Sequence, residues 1–376
     1  MRIAVITNSR IPSLTANSIQ AMKMCQALTQ LGHELRVFAP RETEPASWES
    51  LAAHYGLRTP LEIEWLPSLP ILKRYDFTLY SILASRKFKA DLVYTWLLNP
   101  AVLSQWLGWP VVIELHADVR GRLGPLLLRR FWGIRGRKRI LTTTQTVRHA
   151  VEAMVGRKFS EDDILIAPNG IDLNDYEDLP SPAEARHRLG INDRITVGFT
   201  GHFYPGRGIE LLFELARRMP AVQFLWVGGT PDLVRNWRGK LVQAGITNVL
   251  LTGFVEHSRI PLYQAAADVL LMPYARLISD SSGQEISKII NPMKLFEYMA
   301  AERAIITSDI PVIHEVLNSE NAIFCPPEDV NVWHTVLSDL IADENRRIAL
   351  SRQARRDVQR YTWLARAQRA VAGLEK

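Results

Sequence analysis

The sequence predicts an α/β protein of two doubly wound domains in tandem, each a parallel sheet covered by helices on both faces. Three observations carry this. The chain has 376 residues, more than twice the ~150 expected of one domain. Short β-branched runs alternate with amphipathic segments along its length, the pattern of βαβ units. The alternation breaks once, at a polar, proline-bearing stretch over 173–182, and then restarts. Domains are therefore expected over 1–175 and 176–360, with a last helix over about 361–376 crossing back onto the first.

Taken in order, first-half strands are expected at 3–7, 34–39, 92–96, 111–115, 140–143 and 164–167. The first lies in MRIAVITNSR, a short apolar run that ends in polar residues and lacks the longer apolar core and small-residue cleavage site of a signal peptide. A helix over 18–31 follows. Asn17 or Ser18 offers its N-cap, Ile19, Met22, Cys25 and Leu28 recur on one stripe, and Gly32 stands at the C-terminal cap position. Residues 92–113 carry no charge and are long enough to cross a bilayer, but Pro100, Gly108 and Pro110 divide them into a strand, a short helix over 100–107 and a second strand. Second-half strands fall at 196–200, 223–227, 249–252, 269–272, 304–307 and 322–324, with helices at 208–218, 260–266 and 291–301. Residues 331–374 read as helical, with arginines on one face.

Composition is that of a folded globular protein: 47% hydrophobic, 22% charged, with 21 Gly and 21 Pro, which disfavours disorder, collagen and coiled coil. A balance of 45 Lys+Arg against 39 Asp+Glu gives a net charge of +6 and favours anionic partners. The two cysteines, Cys25 and Cys325, have no metal-ligand spacing, so neither a disulfide scaffold nor a zinc site is indicated and a reducing cytosol fits best.

Doubly wound sheets bind ligands at the carboxyl ends of their strands, here expected to face a central cleft. No G-x-G-x-x-G follows the first strand, where Thr7, Asn8, Ser9 and Arg10 stand, so a dinucleotide site of that kind is disfavoured. Residues 201–208 have the glycine spacing of a P-loop, but Arg207 replaces the lysine and Gly208 the hydroxyl residue that would hold magnesium. ATP hydrolysis is therefore disfavoured. Residues 291–300 are more informative. Asn291 is placed to cap a helix and Pro292 to open it, which leaves the first-turn N–H groups for an anion beside Lys294. Glu297, three residues on, is able to accept two hydroxyl hydrogen bonds from a ribose. The same residues also suit an ordinary capped helix with a Lys–Glu pair on its surface. Arg207, beside a helix N-terminus, reads either as a diphosphate clamp or as a solvated turn arginine. His116 ends a strand at the position from which side chains reach a ligand, or is a structural histidine.

These segments together resemble the GT-B fold glycosyltransferases of the large retaining family 4. Residues 32–37 (GHELRV) are similar to that family's GHEV segment, 168–172 (PNGID) to its PNGVD segment and 262–269 (LYQAAADV) to LYxxADV. Residues 200–208 resemble the donor-diphosphate loop, and 294–300 the helix bearing the second glutamate of the E-x7-E signature. The resemblance implies two Rossmann-like domains and transfer from a UDP- or GDP-linked sugar as co-substrate, with no other cofactor. It gives Arg207 the role of the family lysine, puts Lys294 at the pyrophosphate and His116 beside the sugar at the reaction centre, and makes these three the catalytic residues. Glu297 would bind the ribose, and Gly253, Phe254 and Val255 would line the nucleobase. Gly201, Asn291, Met293 and Leu295 fall to the donor, and His202 stands where the family arginine would. Asn17 and Ala16 replace its Gly-Gly turn at a helix N-terminus. Ile289 stands where the first glutamate would contact the sugar, with Glu285 or backbone groups as substitutes. No Asp-x-Asp occurs, which accords with a metal-independent site. Retention implies that the departing phosphate takes the acceptor proton, so no general base is assigned.

Charge is uneven along the first half. Residues 119–151 hold no acidic residue but nine basic ones, Arg120, Arg122, Arg129, Arg130, Arg135, Arg137, Lys138, Arg139 and Arg148, interleaved with Leu126, Leu127, Leu128, Phe131, Trp132 and Ile134. Such a segment reads as a contact with an anionic membrane, which with the resemblance implies a peripheral enzyme on the cytoplasmic membrane face acting on a lipid-linked or glycan acceptor. It reads equally as a solvated basic helix or an intramolecular interface. No nucleic-acid reader motif accompanies it. Two rival functions stay open, a nucleotide-sugar 2-epimerase of the same architecture and a non-catalytic sugar-nucleotide-binding protein.

Overall fold

The computed structural model describes residues 1–13, 15–41, 45–72, 74–119, 121–280 and 283–374. They form two α/β units: Met1–Gly170 with Trp363–Lys376, and Ile171–Thr362.

In the first unit seven strands pair in parallel. They are β1 (Arg2–Ile6), β2 (Glu34–Pro40), β3 (Ile63–Leu66), β4 (Leu92–Thr95), β5 (Val111–Leu115), β6 (Lys138–Thr142) and β7 (Ile164–Ile166), in the order β3-β2-β1-β4-β5-β6-β7. Central strands such as β4 and β5 are buried at every position, which explains their nearly continuous apolar runs. β3 was not among the expected strands. It is a four-residue edge strand with Glu64 in its middle, too short and too polar to stand out as a run. The uncharged stretch after Asp91 holds β4, the helix Leu98–Trp106 and β5. Among the described residues no helix is long and apolar enough to cross a membrane.

The first helix runs Ala16–Gln30 and corrects the expected start. Its N-cap is Thr15, not Asn17 or Ser18, and no side chain caps it. Ser18 has turned inward, where its hydroxyl bonds the Arg10 carbonyl at 3.2 Å and the Tyr55 hydroxyl. The single apolar stripe is also corrected, because every residue from Gln20 to Leu28 is buried. The helix Trp363–Val371 returns from the C-terminus to pack along it. Polar residues on the covered side bond within the protein: Lys23 Nζ donates to the Gly56 carbonyl at 2.8 Å, and Gln26 Oε1 accepts from the Arg58 N–H.

The second unit has six parallel strands: β8 (Thr196–Thr200), β9 (Gln223–Val227), β10 (Val249–Gly253), β11 (Val269–Met272), β12 (Ala304–Ser308) and β13 (Ile323–Cys325), in the order β10-β9-β8-β11-β12-β13. Strand order reverses between β8 and β11. The loops that leave these two strands, 201–208 and 273–292, therefore flank the switch point at which open α/β sheets take ligands. At the opposite, amino ends of the same two strands Asp268 ties them together: its carboxylate accepts the Thr196 N–H at 2.8 Å and Arg186 Nη1 at 3.0 Å. Arg186 is 6% exposed. Asp268→Ala would leave the Thr196 N–H without its acceptor and Arg186 with Asp193 and the Ala266 carbonyl alone, and is expected to lower the stability of the second unit by about 1–2 kcal/mol, measured as a fall in urea midpoint at unchanged m-value.

Candidate functional site

The switch point of the second unit is shaped by backbone contact. At Gly208 (φ 83°), the N-cap of the helix Ile209–Arg218, an added Cβ would fall 1.8 Å from the Pro273 carbonyl oxygen. Only glycine lets the β8 and β11 loops approach so closely. At Gly201 (φ 133°) a Cβ would lie 2.7 Å from Lys294 Nζ, so the start of the β8 loop leaves room for that ammonium.

Lys294 belongs to the helix Met293–Ala300. Its Nζ stands 4.0 Å from the centroid of the Phe199 ring and 5.7 Å from that of Tyr274, shielded from solvent and without a hydrogen-bond acceptor. The Arg207 guanidinium also lies over Tyr274, at 5.3 Å. Burial, and then the like charge of Arg207, push the Lys294 ammonium well below the ordinary lysine range, with Glu297 opposing. Two cations thus converge on one ring. One turn along the helix, Glu297 is buried, and its Oε2 accepts from Gln264 Nε2 at 3.1 Å. Gln264 also donates to Thr200 Oγ1 at 3.2 Å and accepts from the Tyr176 hydroxyl at 3.0 Å, while the Tyr298 hydroxyl accepts the Thr200 N–H at 2.8 Å. These bonds tie the helix to the end of β8.

The start of this helix differs from expectation. Pro292 is extended (ψ 134°) and occupies the N-cap, its carbonyl accepting the Leu295 N–H at 3.1 Å. Asn291, expected to cap, lies one residue outside. A pyrrolidine has no N–H and no side-chain acceptor, so the first-turn N–H groups gain no side-chain cap.

Gly201, Arg207, Lys294 and Glu297 therefore come together, with Asn291 and Met293 half-buried at the same helix start. Leu295 points into the core. His202 stacks on Tyr204 at 4.8 Å. After β10, Phe254 is 54% exposed and Val255 packs against a small apolar cluster. In the β11 loop Ile289 is buried and Glu285 exposed. Phe199, Tyr274 and Gln264 were not anticipated, since apolar and amide residues in buried runs carry no sequence signal of a site. Among the described residues no group of three or more His, Cys, Asp and Glu is placed to hold a metal ion.

His116, Ala16 and Asn17 lie in the first unit, the latter two exposed in the first turn of Ala16–Gln30. His116 follows β5, and its Nε2 is 2.8 Å from Glu114 Oε2. Glu114 itself is 1% exposed and also accepts from Gln20 Nε2 at 2.8 Å, from the Tyr94 hydroxyl, and from Arg366 Nη1 and Nη2 at 2.8 Å each. Burial alone would raise the Glu114 pKa. Arg366 outweighs it and holds the carboxylate far below the usual range. The one sequence signal was the charge itself, a glutamate inside the apolar strand VVIEL.

The basic stretch is only partly a surface. Arg120 lies outside the described residues. Lys138 turns inward to the carbonyls of Phe131, Trp132 and Ile134, at 3.1 Å and 2.9 Å for the first two. Arg139 is 8% exposed and bonds the carbonyls of Asp162 and Arg369. Arg148 bonds Glu152 and the Phe159 carbonyl. All three serve the fold, because orphan carbonyls at helix and loop ends need donors. Arg122, Arg129, Arg130, Arg135 and Arg137 are exposed, beside Leu123 and Leu126.

A buried ammonium without an acceptor is destabilising. Lys294→Met is expected to raise the stability of the ligand-free protein by about 1–3 kcal/mol at neutral pH, read as a higher unfolding midpoint. Because the folded-state pKa of Lys294 is depressed, the unfolded chain binds more protons between that value and the ordinary lysine value. The unsubstituted protein should therefore gain stability from this group as pH rises through that window, and the Met variant should lack that slope.

Both units match known families. A model described as Glycosyltransferase Family 4 matches residues 18–175, and one described as Glycosyl transferases group 1 matches 194–343. A processive diacylglycerol alpha-glucosyltransferase of Acholeplasma laidlawii is 24% identical over 223 residues, 56% of this chain and 62% of that protein. A GDP-mannose-dependent alpha-mannosyltransferase of Mycobacterium tuberculosis is 24% identical over 285 residues, 72% of each. Against the first curated relatives that it matches, the chain spans about half of their length, from 34% to 62%. Among solved structures, Anabaena HepE in complex with UDP-glucose aligns with a TM-score of 0.72 at 16% identity, over 99% of this chain and 98% of that one. Sucrose-phosphate synthase from Thermosynechococcus elongatus gives 0.72 at 18% identity, over 97% and 96%. These structures share the fold. With one family model on each unit and the GT-B fold throughout, the chain belongs to the group 1, family 4 glycosyltransferases.

Proposed function

We propose that this protein transfers a sugar from a UDP- or GDP-linked donor to an acceptor, with retention and without a metal. The observation that carries this reading is the convergence of Lys294, which lacks a hydrogen-bond acceptor, and Arg207 at the switch point of the second unit. Holding two cations over one ring is unfavourable unless an anion shares the site, and a diphosphate beside the N-terminus of Met293–Ala300 would satisfy both. In the reaction the bond from the anomeric carbon to the diphosphate oxygen breaks. Negative charge grows on the leaving nucleoside diphosphate, where Arg207, Lys294 and the first-turn N–H groups stabilise it. The departing phosphate accepts the proton of the acceptor hydroxyl on the face it leaves, so the new bond forms with retention. Glu297 binds the ribose, Phe254 and Val255 the base, and His116 of the first unit serves the sugar. The curated relatives include enzymes named for GDP-mannose, and HepE was solved with UDP-glucose, which supports this donor class.

The acceptor is lipid-linked or a glycan precursor, met at a membrane surface to which the protein binds peripherally. Arg122, Arg129, Arg130, Arg135 and Arg137 with Leu123 and Leu126 form the contact, and the adjoining helix Leu98–Trp106 adds Trp106, 70% exposed. Each basic residue contributes about 1 kcal/mol near anionic lipid.

Glu297→Ala and Lys294→Ala should each lower release of nucleoside diphosphate from radiolabelled UDP- and GDP-sugars by about 100-fold or more, with the fold intact by circular dichroism. Full activity in both would sink the site. Formation of a sugar isomer would favour the epimerase, and binding without turnover the non-catalytic protein. Sedimentation with phosphatidylglycerol vesicles should be lost when Arg129, Arg130, Arg135 and Arg137 become Gln; undiminished binding would remove the membrane contact.

A further inference from the structure

The Glu114 cluster has more donors than a structural ion pair needs, and one of them is His116. Five hydrogen bonds converge on a carboxylate whose side chain has no exposed surface. Arg366 makes two of them in a fork, and its Nε also donates to the Pro168 carbonyl at 3.0 Å. A carboxylate kept ionised by such a fork is an acceptor only. The imidazole nitrogen 2.8 Å from its Oε2 must therefore carry the proton. Among the described residues no protein group hydrogen-bonds His116 Nδ1, and a quarter of the side chain is exposed.

We propose that Glu114 and Arg366 are positioning residues that hold His116 as its Nε2–H tautomer, leaving Nδ1 to accept a hydrogen bond from a donor-sugar hydroxyl. This rests on the assignment of His116 to the sugar. Its consequence is that the helix Trp363–Val371 does more than pack on the first unit. It sets, through one buried charge, which nitrogen His116 offers. Had Glu114 no cation, burial would protonate it, and the same nitrogen would face a donor instead.

The test uses the full chain labelled with 15N-histidine, His116 being assigned by its loss in His116→Ala. Two-bond 15N–1H spectra should show the Nε2–H tautomer in the unsubstituted protein; the Nδ1–H tautomer there would overturn the proposal. Glu114→Gln should turn its amide nitrogen toward His116, shift the imidazole to Nδ1–H and lower kcat about tenfold, with the affinity for UDP and GDP unchanged. Should this variant fold poorly around an unpaired Arg366, the double variant Glu114→Gln, Arg366→Met removes that charge and is expected to show the same tautomer and rate. Arg366→Lys, which keeps the cation, should retain Nε2–H and most of kcat. A merely structural pair would give variants of lower melting temperature with unchanged tautomer and kcat, which also overturns the proposal. If the tautomer is Nε2–H but His116→Ala transfers sugar at the full rate, the assignment of His116 to the sugar is what fails.

Discussion

A carboxylate with 1% exposure inside a β-strand has to meet a cation, and Glu114 finds its partner 252 residues away. Much of the first unit follows from that pairing. Arg366 can reach Glu114 only if the chain, having built the second unit, returns to the first. That return packs along Ala16–Gln30, in which every residue from Gln20 to Leu28 is buried. The same arginine bonds the carbonyls of Ala167 and Pro168, just after β7, and so pins the end of the sheet. Tyr94 and Gln20 extend the network to β4 and the first helix, and His116 extends it past the carboxyl end of β5.

The second unit is organised by the opposite situation, a buried cation that the protein does not neutralise by hydrogen bonding. Lys294 sits on aromatic faces beside Arg207, and the positions around it are specialised to allow this: glycine at 201, glycine at 208, and Pro292 extended at the N-cap. Such an arrangement costs stability in the free protein, the usual trade between a preorganised site and a relaxed one. Glu297, Gln264, Thr200, Tyr176 and Tyr298 form a closed set of hydrogen bonds that fixes where the helix Met293–Ala300 stands.

The parallel strands were legible because buried strands in such sheets are runs of β-branched and aromatic residues, and twelve of the thirteen were read within a residue or two. The exception, Ile63–Leu66, lies at a sheet edge, where polar residues are tolerated and the pattern fades. Helix starts were less legible. Thr15 and Pro292, and not Asn17, Ser18 or Asn291, hold the N-cap positions, since tertiary bonds such as that from Ser18 to Arg10 outweigh a capping preference of about 1 kcal/mol. The basic stretch misled in a similar way. Charge counted along a chain does not distinguish Arg137, which is exposed, from Lys138 and Arg139, which turn inward to carbonyls.

By itself the sequence determined the architecture and the residue types at the carboxyl end of the second sheet: periodicity reports burial, and short motifs at strand ends report the loops that follow them. Only the tertiary structure decided which charges are paired. Glu114 with Arg366 and Lys294 without an acceptor are indistinguishable in a composition, because the partner of a buried charge is chosen by distance in space and not by distance along the chain.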